Sequence, residues 1–252
     1  MTNKLKYFVG NWKMFGDFSS YKIIHKINRY IYKLKGSKNS KIVLFVPSTL
    51  IHSFRKKLKR KAICIGAQNC YHQEGYGPFT GAVSSGMLKK MGAEYIILGH
   101  SENRSEGETA QLIKKKIISA LNQKLNIIFC IGETYKDKER GRTFSVIRTQ
   151  IKSSLEKKFN KNKIILAYEP VWSIGTNKIP NIKDLQTVIK FIKNDFKKIF
   201  KTRKLPRVLY GGSVNDKNIK SLSSVADIDG FLIGGASQSA KKFIDIIKKY
   251  YK

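Results

Sequence analysis

The stretch IILAYEPVWSIGTNKIPNIKDLQTVIKFIKNDFKKIFKTRKLPRVLYGGS, residues 164–213, reads as strand, helix, strand. Ile164 to Tyr168 is a continuous apolar run, the pattern of a strand covered on both faces rather than one. From Ile182 to Phe200 the residues Ile182, Leu185, Val188, Ile189, Ile192, Phe196 and Ile199 recur at three- and four-residue steps with lysines between them, which makes one inward-facing stripe on a helix. Asn181 suits the N-cap and Asp184 the positive end of that helix, while Pro180 and Pro206 bracket the unit. Val208 to Tyr210 repeats the strand signature. Two strands joined through a helical crossover run parallel, because a tight turn can join only antiparallel neighbours.

The same unit recurs in both directions. Further strand-like runs are Tyr7 to Val9, Ile42 to Val46, Ile63 to Ile65, Tyr95 to Leu98, Ile127 to Ile131 and Phe231 to Ile233. Amphipathic stretches at Tyr21 to Leu34, Leu112 to Leu121, Phe144 to Phe159 and Lys242 to Tyr250 lie between strands or after the last one. Eight such steps in 252 residues, with no linker-like tract and no strict repeat, predict a single α/β domain over 1–252 that closes into an eight-stranded parallel (β/α)8 barrel. An open doubly wound sheet is the second choice.

With 50 Lys and Arg against 17 Asp and Glu the formal charge is +33, yet 41% hydrophobic residues supply a core, so the composition excludes a disordered chain. Lysine is spread along nearly the whole sequence rather than gathered in a tail, and a composition bias is the simplest reading. No apolar run approaches the roughly 20 residues of a membrane span, and MTNKLKYFVGNWK at the start is a poor signal peptide, so a cytosolic location is expected. Cys64, Cys70 and Cys130 stand singly, without metal-ligand or disulfide spacing, and read as reduced thiols.

In a barrel of this kind the residues just after the strands converge on one face. They are unusually polar here: Asn11 and Lys13, Gln68 and Asn69, His100 and Glu102, Glu133, Glu169, Ser213, then Gly234 and Gly235. Gly211-Gly212-Ser213 and Gly234-Gly235-Ala236-Ser237 offer unshielded backbone N–H groups suited to a phosphate, although either alone reads equally as an ordinary turn. Glu169 ends its strand directly before Pro170, where a carboxylate can serve as a base or sit in a structural ion pair. The apolar loop that follows, Pro170-Val171-Trp172-Ser173-Ile174-Gly175-Thr176, looks like a closing lid. His25, His52 and His72 read as surface; only His100 lies between a strand end and a small-residue turn.

Six of these segments, Gly10-Asn11-Trp12-Lys13-Met14, Gly99-His100-Ser101-Glu102, Cys130-Ile131-Gly132-Glu133, Ala167 through Trp172, Tyr210 through Val214 and Gly234 through Ser237, together resemble the triosephosphate isomerase family, in order and across the whole chain. The resemblance implies a TIM barrel that interconverts dihydroxyacetone phosphate and glyceraldehyde 3-phosphate without cofactor, in glycolysis and gluconeogenesis. It implies Glu169 as the base, a neutral His100 and Lys13 as catalytic groups beside Asn11, and Glu102 as an orienter of Lys13 or a proton shuttle. It assigns phosphate contacts to Gly175, Ser213, Gly234 and Gly235. It further implies a homodimer whose third loop, through Gln68, Asn69 and Thr80, supports the partner's site. Ala82 and Asn103 stand where the family usually has a charged pair across that interface, which suggests a reworked contact. Ser173 and Asn177 replace a common Ala and Gly in the lid, and Phe15 a common Asn. The competing readings are another phosphosugar barrel enzyme, an epimerase or lyase, which would lack the Lys, His and Glu set, and a basic nucleic-acid-binding protein. For the latter no motif accompanies the charge, so no nucleic-acid contact beyond the non-specific is expected.

Overall fold

A computed structural model describes residues 5–34, 39–58 and 62–251. Eight strands close into a barrel in sequence order: β1 Lys6–Asn11, β2 Ser40–Val46, β3 Cys64–Ala67, β4 Tyr95–Leu98, β5 Asn126–Ile131, β6 Ile164–Tyr168, β7 Arg207–Tyr210 and β8 Gly230–Ile233. Every pairing is parallel, and β1 completes the ring by lying between β2 and β8. The helices are α1 Tyr21–Lys33, α2 Ser48–Lys57, α3 Ser85–Lys90, α4 Ser101–Ser105, α5 Ala110–Asn122, α6 Tyr135–Glu139, α7 Thr143–Ser154, α8 Ile182–Phe200, α9 Ile219–Ser223 and α10 Ala240–Tyr250. The open doubly wound sheet is therefore excluded.

The strands read as unbroken apolar runs because both of their faces are covered. Tyr7, Val9, Phe45, Ile97, Ile128, Ala167 and Leu232 belong to one cluster, while Phe8, Leu44, Ile96, Ile127, Leu166 and Phe231 belong to a second cluster shared with the helices. The two sets alternate along each strand, which is the period-two pleat hidden inside a uniform sequence. Leu185, Ile189, Ile192 and Phe196 of α8 are fully or nearly fully buried in the outer cluster, each contributing roughly 1.5–3 kcal/mol of burial. The Asn181 side chain accepts from the Lys183 N–H at 2.8 Å, as its N-cap position requires.

Most boundaries move by one or two residues from the sequence reading, and two of the changes bear on the fold. The helix expected over Phe144 to Phe159 stops at Ser154, because Leu155 is extended and Phe159 enters the core from a turn beyond it. The third strand starts one residue later than expected and runs on through Gly66 and Ala67. At Gly66 the Phe45 ring fills the barrel interior so closely that a Cβ would lie 2.4 Å from it. The helices after β2, β3 and β7 are short or weakly patterned, which is why the apolar periodicity does not announce them. Among the described residues no helix is long and apolar enough to cross a membrane.

Candidate active site

The C-terminal ends of the strands open into a cavity of about 800 Å³. Asn11, Lys13, His100, Glu169, Gly175, Ser213, Gly234 and Gly235, drawn from five strand ends and the lid, all line it. Glu102, by contrast, stands at its edge.

Each polar group is held by a specific local device. Lys13 has a left-handed backbone, φ 56°, which is strained for a residue with a side chain. That turn is held from three sides: the Lys13 N–H donates to Asn11 Oδ1 at 3.0 Å, Gln68 Nε2 donates to the Lys13 carbonyl at 2.9 Å, and Gln238 Nε2 donates to the Trp12 carbonyl at 2.8 Å. The Trp12 ring is wholly buried, and its Nε1 donates to the Ser237 carbonyl, tying the first strand end to the eighth. Lys13 Nζ pairs with Glu102 Oε1 at 2.5 Å.

His100 caps α4, and its Nδ1 accepts from the Glu102 N–H at 3.2 Å. A nitrogen that accepts has a free lone pair, so the imidazole carries its proton on Nε2. That Nε2 faces Glu169 Oε1 at 3.5 Å. Behind this pair Arg104 donates to the Gly99 carbonyl at 2.7 Å and the Cys130 carbonyl at 3.1 Å, clamping the ends of β4 and β5 together.

Glu169 is 3% exposed, and its Oε2 has no hydrogen-bond partner among the described residues. Burial pushes its carboxyl above the ordinary range. Its surroundings explain two glycines: a Cβ on Gly132 would lie 1.9 Å from the Glu169 carbonyl oxygen, and one on Gly211 would lie 2.7 Å from its Cγ. Gly212 is likewise small because the Tyr210 and Ser173 hydroxyls press on it. Of the two glycine pairs at the strand ends, only Gly234 and Gly235 have open space before them. The two glycine pairs therefore differ: Gly211 and Gly212 make room for Glu169, Ser173 and Tyr210, while Gly234 and Gly235 present bare backbone to the cavity.

The lid leaves β6 through a 3-10 turn, Val171–Ser173. Trp172 Nε1 and the Tyr168 hydroxyl both donate to Glu133, at 3.0 and 3.1 Å, and Lys138 Nζ stands 3.8 Å over the Trp172 ring. Glu133 is buried, which raises its pKa, but these donors give its oxygens partners. Ser173 is bonded to the Lys178 carbonyl and the Tyr210 hydroxyl. Ser213 Oγ donates to the Ser173 carbonyl at 2.8 Å and accepts from the Asn177 N–H at 3.1 Å. Gly175 and Asn177 take left-handed backbone, φ 72° and 61°.

Of the loop residues, Gln68 reaches its own chain's Lys13, whereas Asn69 turns aside to accept from Lys116 and Thr80 is exposed on a projecting loop. Arg104 and Gln238 are site-forming residues that the sequence reading passed over. Only the short distance of each from a motif could have suggested them. Among the described residues no group of His, Cys, Asp and Glu side chains is placed to hold a metal ion.

The family model of triosephosphate isomerase matches residues 6–250. The triosephosphate isomerase of Dictyoglomus thermophilum is 40% identical over 248 residues, covering 96% of this chain and 98% of its own length. That of Thermoanaerobacter sp. strain X514 is 37% identical over 243 residues, covering 94% and 96%. The crystal structure of triosephosphate isomerase from Bartonella henselae matches with a TM-score of 0.87 at 34% identity, covering 98% of this chain and 99% of that one. With the fold and the full-length relatives in agreement, this chain belongs to the triosephosphate isomerase family, the isomerases that interconvert dihydroxyacetone phosphate and glyceraldehyde 3-phosphate.

Proposed function

We propose that Glu169 is the base of this isomerisation, taking a proton from the carbon beside the carbonyl and returning it to the neighbouring carbon. The observation that carries this reading is the pairing of a buried carboxylate, one oxygen unengaged, with the Nε2–H of His100 at 3.5 Å across the same cavity. A carboxylate whose pKa is raised by burial is a stronger base once ionised. His100 donates its Nε2 proton to the substrate oxygens as enediolate charge develops, as a neutral histidine is known to do in triosephosphate isomerases. Asn11 spends its carbonyl on the Lys13 N–H, which leaves its amide N–H groups for the same oxyanion, and the Lys13 ammonium adds positive charge. Glu102 lies outside the cavity lining and pairs with Lys13, which supports a positioning role rather than proton transfer.

The phosphate is assigned to the backbone of Gly234 and Gly235, to Ser213, and to the Gly175 N–H on the lid from Pro170 to Thr176. Binding the phosphate then draws the lid over the enediolate and shields it from water. The active form is a homodimer. In support, Met14 is 100% exposed, Phe18 64% and Tyr76 76%, all on the loops after β1 and β3, an apolar surface that needs a cover. The chain is read as one barrel domain working in the cytosol. The test is turnover of dihydroxyacetone phosphate by purified protein beside Glu169→Asp. We expect kcat to fall by about 10²-fold or more, since shortening the side chain misplaces the base by about 1 Å; undiminished turnover in the variant would refute the assignment.

A further inference from the structure

The charge of this protein is not distributed evenly over its two rims. Around the cavity, acidic and basic residues nearly balance: Gly99 to Thr109 holds three acidic residues and one basic, Gly132 to Arg142 three and four. At the opposite rim, where the helices end and the strands begin, the balance is lost. From Lys190 to Arg207, eight lysines and arginines stand against Asp195, one of them, Lys193, being buried and paired with Asp229 at 2.6 Å, and from Lys152 to Lys163 five lysines stand against Glu156. Parallel topology places the C-terminal ends of α7 and α8 side by side here, so the two runs merge into one surface.

Three adjoining clefts cut into that surface. The first, about 670 Å³, is edged by Lys152, Lys157 and Lys198. The second, about 480 Å³, shares Lys198 and adds Lys197, Lys201 and Arg203. The third, about 380 Å³, meets the second at Thr202 and carries Lys161, Lys204 and Arg207. Asp195 is the one acidic residue in the lining of the three, and Arg148 neutralises it through a forked pair at 2.8 and 3.0 Å. Glu156 is taken by Lys114 and Lys158. Lys197, Lys198, Lys201 and Arg203 are exposed and form no ion pair among the described residues. The helix C-terminal dipole of α8 accommodates this charge without creating it.

We propose that this rim binds the phosphate backbone of a nucleic acid, without sequence preference and away from the isomerase site. Repeated cations along connected clefts fit a chain of evenly spaced phosphates. The aromatic rings here are unfit for base stacking: Phe200 and Phe159 are buried, and Lys161 covers the Phe200 ring at 5.4 Å. An anionic membrane is the weaker fit, since Leu205 is the only large apolar side chain exposed among the described residues of this rim and a docking surface gains from several.

The test uses a fluorescent 20-nucleotide oligouridine, with anisotropy read between 50 and 200 mM salt. The wild type is compared with Lys197→Gln, Lys198→Gln, Arg203→Gln and Lys204→Gln combined. The control combines Lys136→Gln, Arg140→Gln, Lys183→Gln and Lys241→Gln on the cavity rim, which removes the same four charges and leaves the isomerase groups untouched. Wild-type Kd is expected in the range of about 10⁻⁶–10⁻⁴ M, and the first variant should bind at least about tenfold more weakly with a salt slope shallower by about 3. The control should match the wild type, and all three proteins should turn over triose phosphate, which reports folding. Equal weakening by both sets of substitutions would overturn the proposal, because binding would then follow net charge alone. So would the absence of wild-type binding at 50 mM salt, or tighter binding to phosphatidylserine vesicles than to the oligonucleotide.

Discussion

Glu169 is a buried carboxylate whose ionisation works against the fold. Burial raises its pKa above that of the unfolded chain, so the folded state binds this proton more readily than the unfolded state does. The penalty is absent below the unfolded pKa, near about 4.3, and reaches its full size once the pH exceeds the folded value. Glu169→Gln, which cannot ionise, is therefore expected to be inactive and to melt at a higher temperature than the wild type at about pH 8, with the gap closing toward about pH 4. A melting temperature below that of the wild type throughout this range would contradict the account. The same shift places the acid limb of kcat/KM above the ordinary carboxylate range. The candidate carboxylate itself is legible in sequence, as a Glu between an apolar run and Pro170; its unengaged oxygen and its distance to His100 are not, because they depend on how β4 and β6 come together.

At the scale of an element, the lid is governed by Ser173, where the family commonly has Ala. Its hydroxyl is tied to the Lys178 carbonyl at 2.6 Å and the Tyr210 hydroxyl at 3.1 Å, so the turn is pinned to the end of β7 in the conformation described. Removing a hydrogen bond of this kind is worth about 1 kcal/mol, or about fivefold in rate. Ser173→Ala is expected to speed lid exchange by about that factor in temperature-jump measurements on Trp172 fluorescence; a rate within about twofold of the wild type would show that the hydroxyl does not hold the lid. The lid was visible in sequence as an apolar loop with a bending Gly. Its latch was not, since the Tyr210 hydroxyl reaches Ser173 only after the chain returns from α8. The helix α8 is the opposite case, with cap, stripe and end all written locally.

At the scale of the molecule, β1 closes the barrel against β8, and the loops after β1 and β3 carry the exposed apolar side chains Met14, Phe18 and Tyr76. If those loops are buried by a second copy, Thr80→Arg places a long charged side chain in the contact. Sedimentation is expected to give a single 28.8 kDa species, with kcat/KM lowered at least about tenfold because the support of Asn11 and Lys13 is lost. A fully active monomer would remove the homodimer from the mechanism. The unequal rims carry a second consequence. The basic surface lies roughly 20 Å from the cavity, one strand length with its loops, which exceeds the Debye length of about 8 Å at physiological salt. Long-range attraction of the phosphate by the large net charge is thus screened, and kcat/KM should change by less than about threefold between about 50 and 150 mM salt. A steeper fall would mean that the far rim does steer the substrate.

The sequence alone determined what depends on near neighbours: eight apolar runs, the crossover helices with strong stripes, and polar motifs at strand ends that carry a family resemblance. These signals are local because a pleat, a helix face and an N-cap are each set within a few residues. Closure decided the rest. Only the barrel brings Glu169 to His100, makes Gly211 and Gly212 small beside Glu169 and Ser173 while leaving Gly234 and Gly235 open, and turns Glu102 toward Lys13. Closure likewise gathers lysines that look evenly spread along the chain onto one rim, because every helix in a parallel barrel ends on the same side.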